Sequence, residues 1–118
     1  MTIEDPGQWR AIWSDVNQRH VDGKDSQGAT FELMQRFRSL SPEEKLVVQR
    51  VLIEDLATGD ESQRFDALAI IGEFDLAGAL GALEGLADAL GREKAPGAVY
   101  ELAKVNGIIA RLGDVAAP

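Results

Sequence analysis

A chain of 118 residues, 45% hydrophobic and 27% charged, carries enough apolar material for one modest core, and with only 6% aromatics that core is built from Leu, Ile, Val and Ala, which suits closely packed helices. The absence of cysteine excludes disulfides and thiolate metal sites, and no apolar run reaches the roughly eighteen residues of a membrane span. The formal charge is −8, and the densest basic spot is only Arg36 and Arg38, which argues against a nucleic-acid partner because phosphate contacts need clustered cations.

The N-terminal MTIEDPGQW has acids and no apolar run, so it does not read as a signal peptide, and the expected location is the cytoplasm. The first predicted helix follows Asp5-Pro6, since Asp can cap and Pro is tolerated at the first helical position. Trp9, Ile12, Trp13 and Val16 recur at i, i+3, i+4 and i+7, and are read as indoles closing over the core rather than as an aromatic recognition face. The turn-rich stretch from His20 to Gly28 reads as a loop. A second helix is predicted from about Thr30 to Leu40, with Phe31, Leu33 or Met34, Phe37 and Leu40 on its apolar side. Ser41-Pro42-Glu43-Glu44 has the pattern of a capping box with Pro at the first position. It opens a third helix through Leu46, Val47, Val51, Leu52 and Leu56, which Thr58-Gly59 stops.

Asp60 is the predicted cap of a fourth helix, about Glu61 to Phe74. It is apolar nearly all round and is therefore expected to be central, with Phe65, Leu68 and Ile71 deeply buried. Asp66 and Glu73, with the N-terminal polar residues, mark its wet strip. A fifth helix is expected from about Leu76 to Leu90. Leu76, Leu80, Leu83, Ala87 and Leu90 share one face, and Gly78, Ala82, Gly85 and Ala89 lie opposite. After a break at Gly91 to Lys94, Pro96 opens a sixth helix through Val99, Leu102, Ala103, Val105, Ile109 and Leu112, ending at Gly113. Residues 114–118 read as a frayed tail. No run alternates with period two, so no sheet is expected. The prediction is an all-α chain of about six helices in a single domain, a short solenoid or an irregular bundle.

Asp60, Arg64, Ala67, Gly72, Asp75, Leu80 and Leu83 are an acidic cap, an Arg four residues on, small residues at close-packing positions, an Asp-bearing turn and a Leu-rich second helix. In this the stretch from Asp60 to Leu90 resembles a HEAT-type helical repeat, and residues 41–113 do so more loosely. Such repeats need about three copies to bury a continuous core. The chain holds at most two, so residues 1–40 are read as N-terminal capping helices. In size, charge and helix pattern the chain also resembles bacterial immunity proteins that neutralise secreted toxins, which implies a binding function.

The charge is unevenly placed. Between Glu54 and Gly91 stand nine acidic residues and one basic residue, Arg64, while the rest of the chain balances. Asp60, Glu61 and Asp75 fall near predicted helix N-termini, where a carboxylate favours the macrodipole. One such residue is readily a capped, solvated surface group, but the field of the block sums and favours a basic partner. The Gly/Ala face of the fifth helix is a second oddity, because each Gly costs about 1 kcal/mol of helix stability relative to Ala. It is read either as intramolecular packing or as a shallow concave surface, edged by Glu84 and Asp88, that accepts a partner.

Chemistry-bearing constellations are missing from the sequence. His20 beside Asp22 and Asp25 lacks further ligands or a nucleophile and reads as a solvated loop residue. Asp22 to Gly28 lacks the alternating ligands and distant Glu of a calcium loop. No catalytic residue, cofactor or metal is expected. The expected function is non-catalytic protein binding, by an immunity-type inhibitor that docks on a basic region of a toxin, for example a nuclease. The alternative is a cytoplasmic adaptor or regulatory subunit, and an enzyme using loop carboxylates ranks last. The expected contact residues are Asp60, Glu61, Asp66, Glu73, Asp75, Glu84 and Asp88.

Overall fold

The computed structural model describes residues 3–22, 26–93 and 95–116. Six α-helices follow one another: α1 (Pro6–Asp22), α2 (Ser26–Arg38), α3 (Pro42–Thr58), α4 (Glu61–Glu73), α5 (Leu80–Arg92) and α6 (Pro96–Ala116), with a 3-10 turn over Ala77–Ala79. No strand occurs among the described residues, and the fold class is all-α as expected.

Helices begin where side chains can satisfy free amides. The Gln8 amide donates to Asp5 Oδ1 at 3.2 Å at the start of α1. At α3 the Glu44 amide donates to Ser41 Oγ at 3.2 Å and the Ser41 amide donates back to Glu44 Oε1 at 2.9 Å, the predicted capping box. The other Glu44 oxygen accepts the Ile3 amide at 2.8 Å, and these backbone donors, Ile3 first, hold the Glu44 carboxyl below its ordinary range. At α4 the Gln63 amide donates to Asp60 Oδ1 at 2.8 Å, and Gln63 Oε1 accepts the Asp60 amide at 2.9 Å.

Contacts gather the chain into two compact units, Met1–Leu52 and Ile53–Pro118, divided within α3. In the first, α1 packs on α2. Its core is Ile3, Trp9, Val16, Ala29, Leu33, Phe37, Val48, Val51 and Leu52. Trp9 is fully buried and Trp13 half-buried, so the α1 stripe is core. In the second unit α5 packs on α6. Its core takes Leu56 from α3, Ala67, Leu68, Ile70 and Ile71 from α4, Leu83, Leu86 and Leu90 from α5, and Ala98, Val105 and Leu112 from α6. Asp75, at φ 50°, is a left-handed residue that ends α4, and beyond it the Leu76 amide reaches back to Ile71 O at 3.2 Å. Asp tolerates that conformation better than most residues.

Several expectations need correction. The predicted loop from His20 to Gly28 is mostly helical: α1 runs to Asp22 and α2 starts at Ser26, not Thr30. His20 is therefore helical, its Nε2 3.1 Å from Glu32 Oε1. Of the calcium-like stretch, Asp22 ends α1 and residues 26–28 open α2, while residues 23–25, Asp25 among them, lie outside the described residues, as does Lys94 in the predicted break. The chain after Asp75 takes a 3-10 turn first, so α5 begins at Leu80 rather than Leu76. Helix α6 continues through Gly113 to Ala116, into the predicted tail, and residues 117–118 lie outside the described residues. Phe65 is 49% exposed, not deeply buried, whereas Leu68 and Ile71 are buried as expected. Phe31, Leu46 and Val99, all assigned to apolar faces, are exposed. A nearly all-apolar helix gives no angular phase, so the sequence could not tell which apolar residues face inward.

Candidate partner-binding surface

The acidic residues of the second unit are not one cluster. Asp60 is the N-cap of α4 and Glu61 its first residue, while Glu73 is its last. Helical rise separates Glu61 from Glu73 by about 18 Å. Asp75 lies just beyond, where its Oδ1 accepts Arg111 Nε at 3.0 Å. Glu84 and Asp88 are exposed one turn apart on α5. Asp66 departs from the predicted wet strip altogether: it is 5% exposed, within the core of its unit, and presents no carboxylate to a partner. The remaining six stand as a band over α4, its C-terminal turn and α5.

Along α5, which carries Glu84 and Asp88, lies a groove of about 420 Å³. Its floor is apolar and small: Ala82, Gly85 and Ala89 come from α5, with Leu86 and Leu90 at their side. Leu56, Ala57 and Gly59 face them from the end of α3, and Arg64 and Glu93 are polar lining residues. No atom of another element stands within 4 Å of where a Cβ would sit on Gly81 or Gly85. Intramolecular packing therefore does not explain these two glycines, and of the two Gly85 lines the groove. Gly59 is different, because a Cβ there would lie 2.6 Å from Asp55 O.

One groove wall is fixed by Arg64. Its Nε and Nη2 donate to Glu101 Oε2 and Oε1 at 2.7 and 3.0 Å, and its Nη1 donates to Gly59 O at 3.2 Å. The guanidinium thus ties α4 to α6 and to the α3–α4 connection, and Glu101 raises its pKa further above the ordinary arginine value.

A second concavity, about 340 Å³, lies between α4 and α6. Glu61, Phe65 and Leu68 line it from α4, and Gly97, Tyr100, Glu101 and Lys104 from α6. Lys104 Nζ stands 4.2 Å from the centroid of the Phe65 ring. Sequence reasoning missed this surface. The signal was present in α6, which has one apolar stripe at Ala98, Leu102, Val105, Ile109 and Leu112 and a second at Val99, Ala103, Gly107 and Ala110. A helix buries only one such stripe against one neighbour.

Among the described residues no three His, Asp or Glu side chains gather to hold a metal ion, and no helix is long and apolar enough to cross a membrane. No protein-family model, no curated protein and no solved structure matches the chain.

Proposed function

We propose that the chain is a non-catalytic protein-binding module that receives a basic segment of its partner in the groove along α5, in the manner of an immunity protein neutralising a basic toxin domain. The observation that carries this reading is the open space above Gly85, with Ala82 and Ala89 as neighbours and exposed Glu84 and Asp88 on the adjoining face. Small side chains let a partner's backbone come close, and carboxylates beside them select a cationic segment and speed its encounter. Arg92, exposed at the last turn of the same helix, limits the acidic face at that end. The HEAT-type resemblance from Asp60 to Leu90 agrees with a scaffold whose work is binding; of the expected contact residues Glu84 and Asp88 flank Gly85 on α5, whereas Asp60, Glu61, Glu73 and Asp75 do not line the groove.

The test is capture of the partner on the intact chain, its identification by mass spectrometry, and association kinetics as a function of salt. Association should slow steeply between about 0.1 M and about 1 M salt, as the Debye length falls from about 10 Å to about 3 Å. Gly85→Leu, which fills the groove, should abolish binding, and Glu84→Lys with Asp88→Lys should slow association. Salt-independent association together with full affinity of Gly85→Leu would remove the groove from consideration.

A further inference from the structure

We propose that the cleft between α4 and α6, with the outward face of α6 that continues it, is where a second copy of this chain docks. The surface is separate from the α5 groove and does not depend on the reading of that groove. Three large apolar side chains of the second unit remain in solvent: Phe65 at 49%, Val99 at 67% and Tyr100 at 80% exposure. Phe65 and Leu68 line the α4 wall of the cleft and Tyr100 its α6 wall. Val99 continues the apolar surface along α6 to Ala103, Gly107 and Ala110, all exposed, with no atom of another element near a Cβ on Gly107. Clustered aromatic exposure of this kind marks an interaction surface rather than ordinary scatter.

Charge selects the occupant. The chain as a whole carries −8, so two copies repel wherever the acidic band meets itself. The cleft is locally balanced. Glu101 is neutralised by the bidentate Arg64, leaving Glu61 on the α4 wall and Lys104 on the α6 wall. A two-fold axis brings each residue of a patch against its counterpart's partner residue. Here it sets Lys104 of each copy beside Glu61 of the other, giving two equivalent ion pairs around an apolar centre. A basic segment would meet Lys104 on the α6 wall as well as Glu61 on the α4 wall and so gains no net attraction there.

The experiment is sedimentation equilibrium of the full chain from low micromolar to submillimolar concentration. The intact protein should pass from monomer to dimer mass. Glu61→Lys alone and Lys104→Glu alone each set like charges opposite one another and should weaken the dimer at least about tenfold. An equimolar mixture of the two variants should regain it, because both cross-pairs are then opposite in sign, a result no pairing within one chain can produce. Tyr100→Ser is an independent arm at a solvent-facing position and should also weaken the dimer, with far-UV circular dichroism confirming that each variant stays folded. A chain that remains monomeric at all concentrations, or single variants that dimerise undiminished, or a mixture that stays monomeric overturns the proposal. A monomeric chain that loses a captured protein on Tyr100→Ser also overturns it, and assigns the cleft to that protein instead. Loss of binding by Gly85→Leu with the dimer intact would leave this proposal standing, so the two surfaces are judged separately.

Discussion

Arg64 and Glu101, 37 positions apart in sequence, form a two-pronged ion pair at 2.7 and 3.0 Å that joins α4 to α6. Both side chains are mostly shielded from water, so the pair keeps more of its Coulomb energy than a surface bridge does. Removing one partner also strips Gly59 O of a donor or leaves a half-buried carboxylate alone. Arg64→Ala and Glu101→Ala should each cost about 2 kcal/mol. Their double-mutant cycle should show coupling, because they act as one unit. Urea denaturation followed by far-UV circular dichroism measures this. Losses under about 0.5 kcal/mol would place the pair with ordinary surface bridges.

Glu32 is the charge hub of the first unit. Arg19 Nη2 donates to its Oε2 at 2.7 Å and Arg36 Nε at 3.1 Å, while His20 Nε2 lies 3.1 Å from Oε1. The hydrogen bond from Arg19 first, then those involving His20 and Arg36, lowers the Glu32 carboxyl from its ordinary 4.5 to about 2. Because the folded value lies below the unfolded one, the stabilisation is fully present above about pH 4.5 and is lost as pH falls towards 2. Both tryptophans lie in α1, so their fluorescence reports this unit. The stability gap between the intact chain and Glu32→Gln should be largest at neutral pH and close on acidification. A gap that does not change with pH would show that the hub does not discriminate the folded from the unfolded state.

The helix starts at Pro6, Pro42 and Glu61 were legible because a cap is a local event, written within four residues. The start of α2 was not. The Gly-, Asp- and Ser-containing stretch after His20 has low helix propensity, but α1 packs on α2 and the Arg19, His20 and Arg36 contacts to Glu32 hold both helices there. Phe65 and Asp66 exchanged their expected environments for a related reason. On a helix apolar nearly all round, neighbours one residue apart differ by 100° in facing, and only the tertiary partners decide which turns inward. The acidic block was legible as a count. Its spread was not, because adjacency in sequence hides the length of α4, which carries Glu61 and Glu73 to opposite ends.

The fourth helix supplies a direct comparison. Leu68 is buried in the second unit, while Phe65, one turn earlier, stands half in solvent under Lys104. Leu68→Ala should cost about 2–5 kcal/mol, as the deleted methyls leave a cavity. Phe65→Ala removes more atoms but few buried contacts and one exposed cation–π contact of about 0.5–1 kcal/mol, so it should cost distinctly less. Denaturant titration of the two variants by circular dichroism decides the order. A larger loss for Phe65→Ala would return that ring to the core.

Two glycines of the second unit should answer alanine in opposite ways. At Gly59 the added Cβ would sit 2.6 Å from Asp55 O and 3.1 Å from Gln63 Cβ, in the connection that the Arg64 guanidinium also grips. A backbone oxygen cannot move aside as a flexible side-chain end can, so α3 and the α4 cap must shift. Gly59→Ala should therefore destabilise by about 1–3 kcal/mol, the range of an overpacked site. At Gly85 the methyl enters open space. Helix propensity then acts alone, and Gly85→Ala should stabilise α5 by up to about 1 kcal/mol. Thermal and urea denaturation of the two variants under one condition gives both signs. If Gly85→Ala also weakens the captured partner while raising stability, glycine at 85 is retained for binding at the expense of the helix. If affinity is unchanged, a partner does not approach the α5 backbone closely enough to meet a methyl group.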